Sequence, residues 1–563
     1  MLAELDRIEQ LLDKALEQMD ISDEHAVGLE GSLAQAYGNS SSDIDFLVLD
    51  CGPIAHPTMP TVLFIDGKRI EIRVRSIHQA RTQIAQLLNW IERGRAASAR
   101  IPEDLLDRCQ RLCHVHAFKR PEHFKEACAE LSDRTLANAV RDWFGVRAER
   151  NARMAVAMYT LGDHARMRSW LLSAITCAAQ SWAAKHGETY IGTKWLAQKL
   201  TRISDGAALL DRLVALRAQG AHSDRPREHL AGCLSFVADS GLLNIPCMPA
   251  ALRLERQRQV TTWRLANRVH VVRNRQHLYT LGDRAAAVWQ TLRFGIPLID
   301  SLRGMTAADR AAVARFHQLG LISLRWDGAG TLPASAPIAP PGAAATPLLS
   351  LGGAVLPQKR YTPYAILPIP LAAQTFASAG VAHVWANLMI ENSIEDVRGA
   401  LHARQWSTLQ AALTRLMRET ATAVITACGV YPLPPVEEIC LQLQHVAALP
   451  RALTATICEI SLRAPARNVS EARASVATAL QVATRVRRRF CFASFPASFK
   501  SARAWQATLE LGYDWARMAA YLNATFPLEE VREMLCADFL LNGAAQESQD
   551  NEATTRRGRN AAH

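Results

Sequence analysis

The chain has 563 residues, 49% of them hydrophobic, and 64 lysines and arginines against 53 acids give a formal net charge of +11 at pH 7. That length exceeds one hydrophobic core and predicts about three or four domains, while the composition excludes a disordered or collagen-like chain. No apolar run reaches membrane-spanning length, and the excess of base favours anionic partners: nucleotides, nucleic acid or an acidic peptide.

The opening stretch MLAELDRIEQLLDKALEQMD predicts an amphipathic helix with Leu2, Leu5, Leu12 and Leu16 among its apolar positions. Its early acids argue against a signal peptide. The next stretch, EGSLAQAYGNSSSDIDFLVLD, sets a Gly-Ser pair ahead of a small polar loop and closes on Asp43-Ile44-Asp45. Residues 43–49 predict a strand bounded by the turn-rich segment 38–42. Side chains alternate along a strand, so Asp43 and Asp45 share a face, where they repel each other unless a cation lies between them. Hard carboxylate oxygens suit magnesium. The Gly31-Ser32 turn can offer backbone N–H groups and a hydroxyl to a phosphate.

A hairpin follows, with strands at 61–65 and 68–75 around Asp66-Gly67. On its second strand Ile70, Ile72 and Val74 take one face and Arg69, Glu71, Arg73 and Arg75 the other. Glu71, the lone acid of a basic face, is the candidate third carboxylate.

Gly31-Ser32, Asp43-Ile44-Asp45 and the later Glu71 resemble the nucleotidyltransferase domain of the DNA polymerase β superfamily, most of all its small bacterial members that include aminoglycoside nucleotidyltransferases. At Glu30 those proteins usually carry a small or apolar residue. The resemblance covers roughly the first hundred residues. It implies that Asp43, Asp45 and Glu71 are catalytic and hold two magnesium ions, that Gly31 and Ser32 hold an NTP triphosphate, and that Arg69 and Arg73 steady phosphate charge.

From 77 to 243 the periodicity is helical. CQRLCHVH brings Cys109, Cys113, His114 and His116 together, yet helix cysteines of this kind are more often small core residues than zinc ligands. A strong helix starts at Ala165, breaks at Gly187 and resumes after Gly192. It resembles the bundle that follows the catalytic domain in aminoglycoside-type enzymes. Two readings stand for Glu188, Tyr190, Lys194 and Trp195: contact with nucleotide or acceptor, Lys194 as a nucleotide ligand, or a helix cap and a core tryptophan.

The run from Arg253 to Arg275 holds seven arginines, and four more fall between Arg485 and Arg489; a charge run of either kind is usually a solvated face. Short β-rich runs are predicted at 260–263, 269–273 and 277–281. Helical segments follow through TAADRAAVARFHQLGLISL, with Thr306 and Asp309 close to a capping box. Strands followed by helices, with Leu-Gly-x-x-Ala, Val-Trp and a closing Leu-Gly-Leu-Ile, are similar to PqqD-like winged-helix domains. Those domains recognise leader peptides by adding them as a strand to a sheet edge. A DNA-binding winged helix and a structural spacer are the competing readings. An Ala-, Pro- and Gly-rich stretch predicts a linker, and helix resumes after it. There the segment from Ala403 echoes the one from Ala165, the pattern of a second, diverged bundle or of two alanine-rich helices alike by chance.

The expected layout is multidomain α+β: a nucleotidyltransferase sheet with helices at 1–100, a helical bundle at 101–250, a winged-helix domain at 251–326, a linker at 327–363, a helical domain at 364–545 and a disordered tail at 546–563. Twelve cysteines without paired spacing fit a reducing cytoplasm. The expected activity is magnesium-dependent transfer of a nucleoside monophosphate, AMP from ATP, to a hydroxyl of a peptide or small molecule with release of pyrophosphate, as a step in ribosomal peptide natural-product biosynthesis. The alternatives are a peptide- or nucleic-acid-binding adaptor with a vestigial catalytic fold, and a nucleotide second-messenger synthase. Nucleic acid is the less favoured partner. The sequence names neither the base nor the acceptor, nor the role of the C-terminal helices, nor the oligomeric state.

Overall fold

The structure, a computed structural model, describes residues 2–19, 21, 24–38, 42–52, 60–222, 225–265, 268–273, 277–281, 283–332, 373–445, 449–490, 495–496 and 501–522. The chain is mixed α/β and mostly helical, and it divides into two compact units. One comprises Met1–Glu92, Ile101–Leu136 and Ser494–His563, the other Arg93–Arg100 and Ala137–Ala493. Most of the 327–363 linker and the whole 546–563 tail lie outside the described residues.

The first unit is built on a mixed sheet of five strands: β1 (Ala26–Glu30), β2 (Ile44–Asp50), β3 (Thr61–Ile65), β4 (Lys68–Ser76) and β5 (His116–Lys119). Their order is β3-β4-β2-β1-β5, with β2 and β4 parallel and the other pairs antiparallel. The β3–β4 hairpin turns at Asp66-Gly67 as expected. Both residues have positive φ, 50° and 73°, the requirement of the tight turn that matches strand twist.

Alternation then sorts the side chains. Val27, Leu29, Ile44, Phe46, Val48, Ile70 and Ile72 form the apolar face. They pack against Ile8, Leu11, Leu12, Ala15 and Leu16 of the helix Leu2–Met19. Truncating the fully buried Phe46 to Ala would cost about 3–5 kcal/mol. The opposite face carries Glu30, Asp45, Glu71 and Arg73. β5 corrects the expectation of unbroken helix from 77 to 243. Four residues are too short for a period to register, and pairing with β1 makes them a strand.

In the second unit the helices His164–Lys185, Leu196–Arg202, Gly206–His222 and Pro226–Asp239 follow the helical periodicity. Asp163 caps the first by accepting from the Arg166 N–H. The next segment contributes β6 (Leu252–Arg256), β7 (Val260–Leu265), β8 (Arg268–Arg273), β9 (His277–Leu281), β10 (Ile322–Trp326) and β11 (Gly330–Thr331). They form two three-stranded sheets, β7-β8-β9 and β11-β10-β6. The capping box at Thr306 and Asp309 is formed, but its helix ends at Gln318, and Ile322–Trp326 is a strand where helix was expected. Gly320, at φ 63°, breaks the helix there.

One hydrophobic core runs from Ala148 to Leu332: Leu254, Phe316 and Leu324 belong to the core that also holds Trp170 and Phe236. Further on, the helices Ala373–His402, Trp406–Ala427, Arg451–Leu462 and Val469–Phe490 agree with the helical expectation. The two echoing segments fold as helices of 22 residues each, His164–Lys185 and Trp406–Ala427. Within the unit, Arg166 and Trp170 donate to the buried Glu438. Among the described residues no helix is long and apolar enough to cross a membrane.

Candidate active site

Register assembles the site. Across the parallel pair Asp45 lies opposite Glu71, and across the antiparallel pair it lies opposite Glu30. Residues opposite one another on neighbouring strands point to the same side, so Glu30, Asp45 and Glu71 form one row over three strands. Asp43, two residues before Asp45, adds a fourth carboxyl on that side. The side chains of Asp45 and Glu71 are 14% and 18% exposed, Asp43 39%, and Glu30 is fully buried.

Arginines interleave these acids. Arg69 Nη2 donates to Asp43 Oδ2 at 2.5 Å and stands 3.6 Å from Glu71 Oε1. Arg73 pairs with Glu30 through Nη1, and its Nη2 lies 3.6 Å from Glu71 Oε2. A further guanidinium comes from the helix Glu103–Cys113. Arg111 Nη1 donates to Asp45 Oδ2 at 3.3 Å, while its Nε donates to Asp107 Oδ2 at 2.7 Å. Sequence reasoning missed Arg111, which lies inside the CQRLCHVH stretch that draws attention for its cysteines. Its spacing four residues after Asp107 was the available signal for a fixed guanidinium.

The electrostatic consequences differ along the row. Burial raises the Glu71 carboxyl, and the charges of Asp45 and Asp43 raise it further; Arg69 and Arg73 only partly offset them, and it is pushed up to about 7. Burial also opposes ionisation of Glu30, but Arg73, Arg111 and Arg75 together outweigh it and hold its carboxyl below the ordinary range. Glu30, where the resembled family has a small or apolar residue, is therefore the buried counter-ion of the arginine layer.

The Gly31-Ser32 turn sits at the end of β1 beside this row. Gly31 has φ 75°, and a Cβ there would stand 2.5 Å from Asp45 Oδ2 and 3.1 Å from Arg111 Nη1. The positive φ favours glycine, and a Cβ would push the ends of the Asp45 and Arg111 side chains aside. Ser32 is buried at the start of the short turn Gly31–Ala34, and its carbonyl accepts from the N–H of Tyr37 at 2.8 Å.

Asp43, Asp45, Glu71, Arg69, Arg73, Gly31 and Ser32 thus all lie on or beside the three central strands, β4, β2 and β1, of one sheet. Lys194 belongs to the other compact unit, where its Nζ bonds Asp396 Oδ1 at 2.6 Å. Trp195 and Tyr190 are buried there, which favours the core reading of that turn. Of the cysteine–histidine stretch, Cys109 is a core residue and Cys113 Sγ rests 3.4 Å from Cys128 Sγ.

The donor set Asp43, Asp45 and Glu71 is all carboxylate oxygen, the donor type a hard divalent cation takes, and the charges of Asp45 and Asp43 add to burial in raising Glu71. Among the described residues no three His, Cys, Asp or Glu side chains converge closely enough to share an ion as they stand. Guanidinium groups lie against Asp43 and Asp45 instead, and a cation would have to displace Arg69 and Arg111 from them. Compared with known proteins, the chain matches no protein-family model and no curated sequence.

Proposed function

We propose that the chain is a magnesium-dependent nucleotidyltransferase that moves a nucleoside monophosphate, AMP from ATP, onto a hydroxyl group and releases pyrophosphate. The observation that carries this reading is the register of the parallel β2–β4 pair. It puts Asp45 beside Glu71, with Asp43 one pleat away and the Gly31 turn adjacent. Magnesium held by Asp43, Asp45 and Glu71 would supply neutralisation of charge at the reacting phosphoryl group.

The chain's own groups do the rest. Gly31 lets the backbone approach the triphosphate closely, and Ser32 follows with its N–H and hydroxyl. Arg69 and Arg73 exchange carboxylate partners for phosphate oxygens, a bidentate match for guanidinium. Glu71 accepts the acceptor's hydroxyl proton as the acceptor oxygen bonds to the α-phosphorus. The bond from that phosphorus to the bridging oxygen breaks, and pyrophosphate carries the electron pair away.

The acceptor class we favour is a peptide, in a pathway that modifies ribosomal peptides. What supports it is the three-stranded β7-β8-β9 sheet, whose outer strands offer edges of the kind extended peptides add to. Arg273, counted among the basic residues of this run, is buried and donates to the Leu319 carbonyl at 2.8 Å, so it does not serve such a peptide. Arg275 and the side chains of Arg264 and Arg268 lie outside the described residues.

The test is pyrophosphate release from each of the four NTPs, with and without magnesium, in the presence of a serine- and threonine-containing peptide or a small alcohol. Mass analysis of the product should show one nucleoside monophosphate added to the acceptor. Magnesium-independent or absent turnover with every NTP and acceptor would sink the reading in favour of an adaptor, and a cyclic or oligonucleotide product would replace it with messenger synthesis.

A further inference from the structure

We infer that Arg69 and Arg111 are stand-in cations of the carboxylate row, so that a divalent ion enters it together with a polyphosphate chain that takes both guanidinium groups in exchange. This rests on the reading of the row as the site of magnesium and nucleotide.

Arg111 stands where the two parts of that site meet. Asp107, one turn earlier on the helix Glu103–Cys113, holds its Nε at 2.7 Å. Its Nη1 lies 3.3 Å from Asp45 Oδ2 and 4.0 Å from Glu30 Oε1. The same atom borders the Gly31 turn, since a Cβ on Gly31 would come within 3.1 Å of it. One guanidinium thus touches a carboxylate proposed to hold the ion and adjoins the turn proposed to hold phosphate. Arg69 sits at the other carboxylate, donating to Asp43 Oδ2, with Glu71 Oε1 3.6 Å away. Both side chains are partly open to solvent, 17% for Arg111 and 14% for Arg69, so a ligand can reach them.

Charge balance explains why an ion alone is poorly received. Glu30, Asp43, Asp45 and Glu71 already face Arg69, Arg73, Arg75 and Arg111. A divalent ion arriving by itself takes Asp43 and Asp45 away from two guanidinium groups, which then stand beside it as like charges in a place largely shut off from water. A polyphosphate chain reverses that balance. Its oxygens accept parallel N–H bonds from the displaced guanidinium groups, and they also ligate the ion, as phosphates do where magnesium is held by few carboxylates. Ion and nucleotide then tighten each other by one common factor.

The experiment measures two affinities on the full-length protein: manganese(II) alone, by electron paramagnetic resonance, and α,β-methylene-ATP with magnesium, by isothermal titration. The parent should bind manganese weakly. Arg111→Gln should bind it at least about tenfold tighter, because Asp45 no longer has a competing cation, and should bind the magnesium–nucleotide analogue at least about tenfold more weakly, the loss of a charge-assisted bond. A merely structural role would lower both affinities together. Arg111→Lys, which keeps the charge, should return the manganese affinity toward the parent's. Arg69→Gln should show the same pair of opposite shifts at Asp43, so the inference stays testable if Arg111→Gln fails to fold by circular dichroism. It is overturned if the folded glutamine variants bind manganese no tighter than the parent, or if both affinities fall together. Those results beside a parent that binds the magnesium–nucleotide analogue and turns over NTP would remove this inference alone. A parent that binds no nucleotide with magnesium present would remove the nucleotidyltransferase reading and this inference with it.

Discussion

Replacing Glu30 by Leu tests whether the arginine layer depends on one buried acid. Glu30 is fully buried and pairs with Arg73, and Arg111 stands 4.0 Å from the same oxygen. Arg75, also buried, is pulled down to about 10 by burial, and Glu30 is the first charge that offsets this. Removing the carboxylate strands these guanidinium groups in the sheet without their shared counter-ion. Breaking a buried pair by removing one partner costs about 3–5 kcal/mol. The strain is local to β1, β2 and β4, so hydrogen exchange read by mass spectrometry over 26–50 and 68–76 is the assay. A loss of about 3 kcal/mol speeds exchange there by about a hundredfold, with peptides of the 137–493 unit as internal controls. The double change Glu30→Leu with Arg73→Met should recover part of the loss, because it removes a stranded charge along with the acid. Magnesium affinity should fall in Glu30→Leu, since a freed Arg73 turns toward Glu71. Exchange within about threefold of the parent, where a cost of 3 kcal/mol is expected, would refute the placement of Glu30 as counter-ion.

Asp43→Asn and Asp45→Asn should each abolish magnesium-dependent pyrophosphate release while leaving the metal-free fold as stable or slightly more so; near-parental turnover at saturating magnesium would remove them from the ligand set. The metal-free protein should lose stability as pH rises from about 4.5 to about 7, because Glu71 is ionised over that range in the unfolded chain but protonated in the fold. That contribution is on the order of 3 kcal/mol, and Glu71→Gln should flatten this part of the pH–stability curve as magnesium does in the parent; an unchanged slope would contradict the raised carboxyl. Gly31→Ala should cost about 1–2 kcal/mol from its positive φ and weaken NTP binding through the clash with Asp45, both measurable by thermal melting and nucleotide titration.

How much of this was legible in the sequence depends on which residues carried a period. The hairpin around Asp66-Gly67 and the strand after Asp43 could be read because alternation and turn chemistry agree there, and the register of Asp45 with Glu71 then follows from the sheet. β5 and β10 could not, since short strands next to helices carry too few residues to set a period against their neighbours. The packing of the 251–326 segment was hidden for a different reason. Where the 251–326 segment ends is a matter of which core it joins, and Leu254, Phe316 and Leu324 join the core of the preceding helices. Composition changes at 251, but packing does not.

Arg111 and Glu30 show what a motif leaves out. Each looks unremarkable in its own segment: one arginine in a helix, one acid at a strand end. Their meaning is set by partners far along the chain, 66 residues for Arg111 with Asp45 and 43 for Glu30 with Arg73. A row of carboxylates that admits the proposed cation would need charge held against it while the cation is away, and basic groups held by a buried acid would meet that need without filling the row permanently. Glu30 stays ionised beneath the arginines while Glu71, on the next strand but one, is driven toward neutrality by the same surroundings. The difference lies in the balance of charge around each. Arginines dominate around Glu30, and carboxylates dominate around Glu71, so protonation in this row is set by the alternation of acid and base across β1, β2 and β4 and not by depth alone.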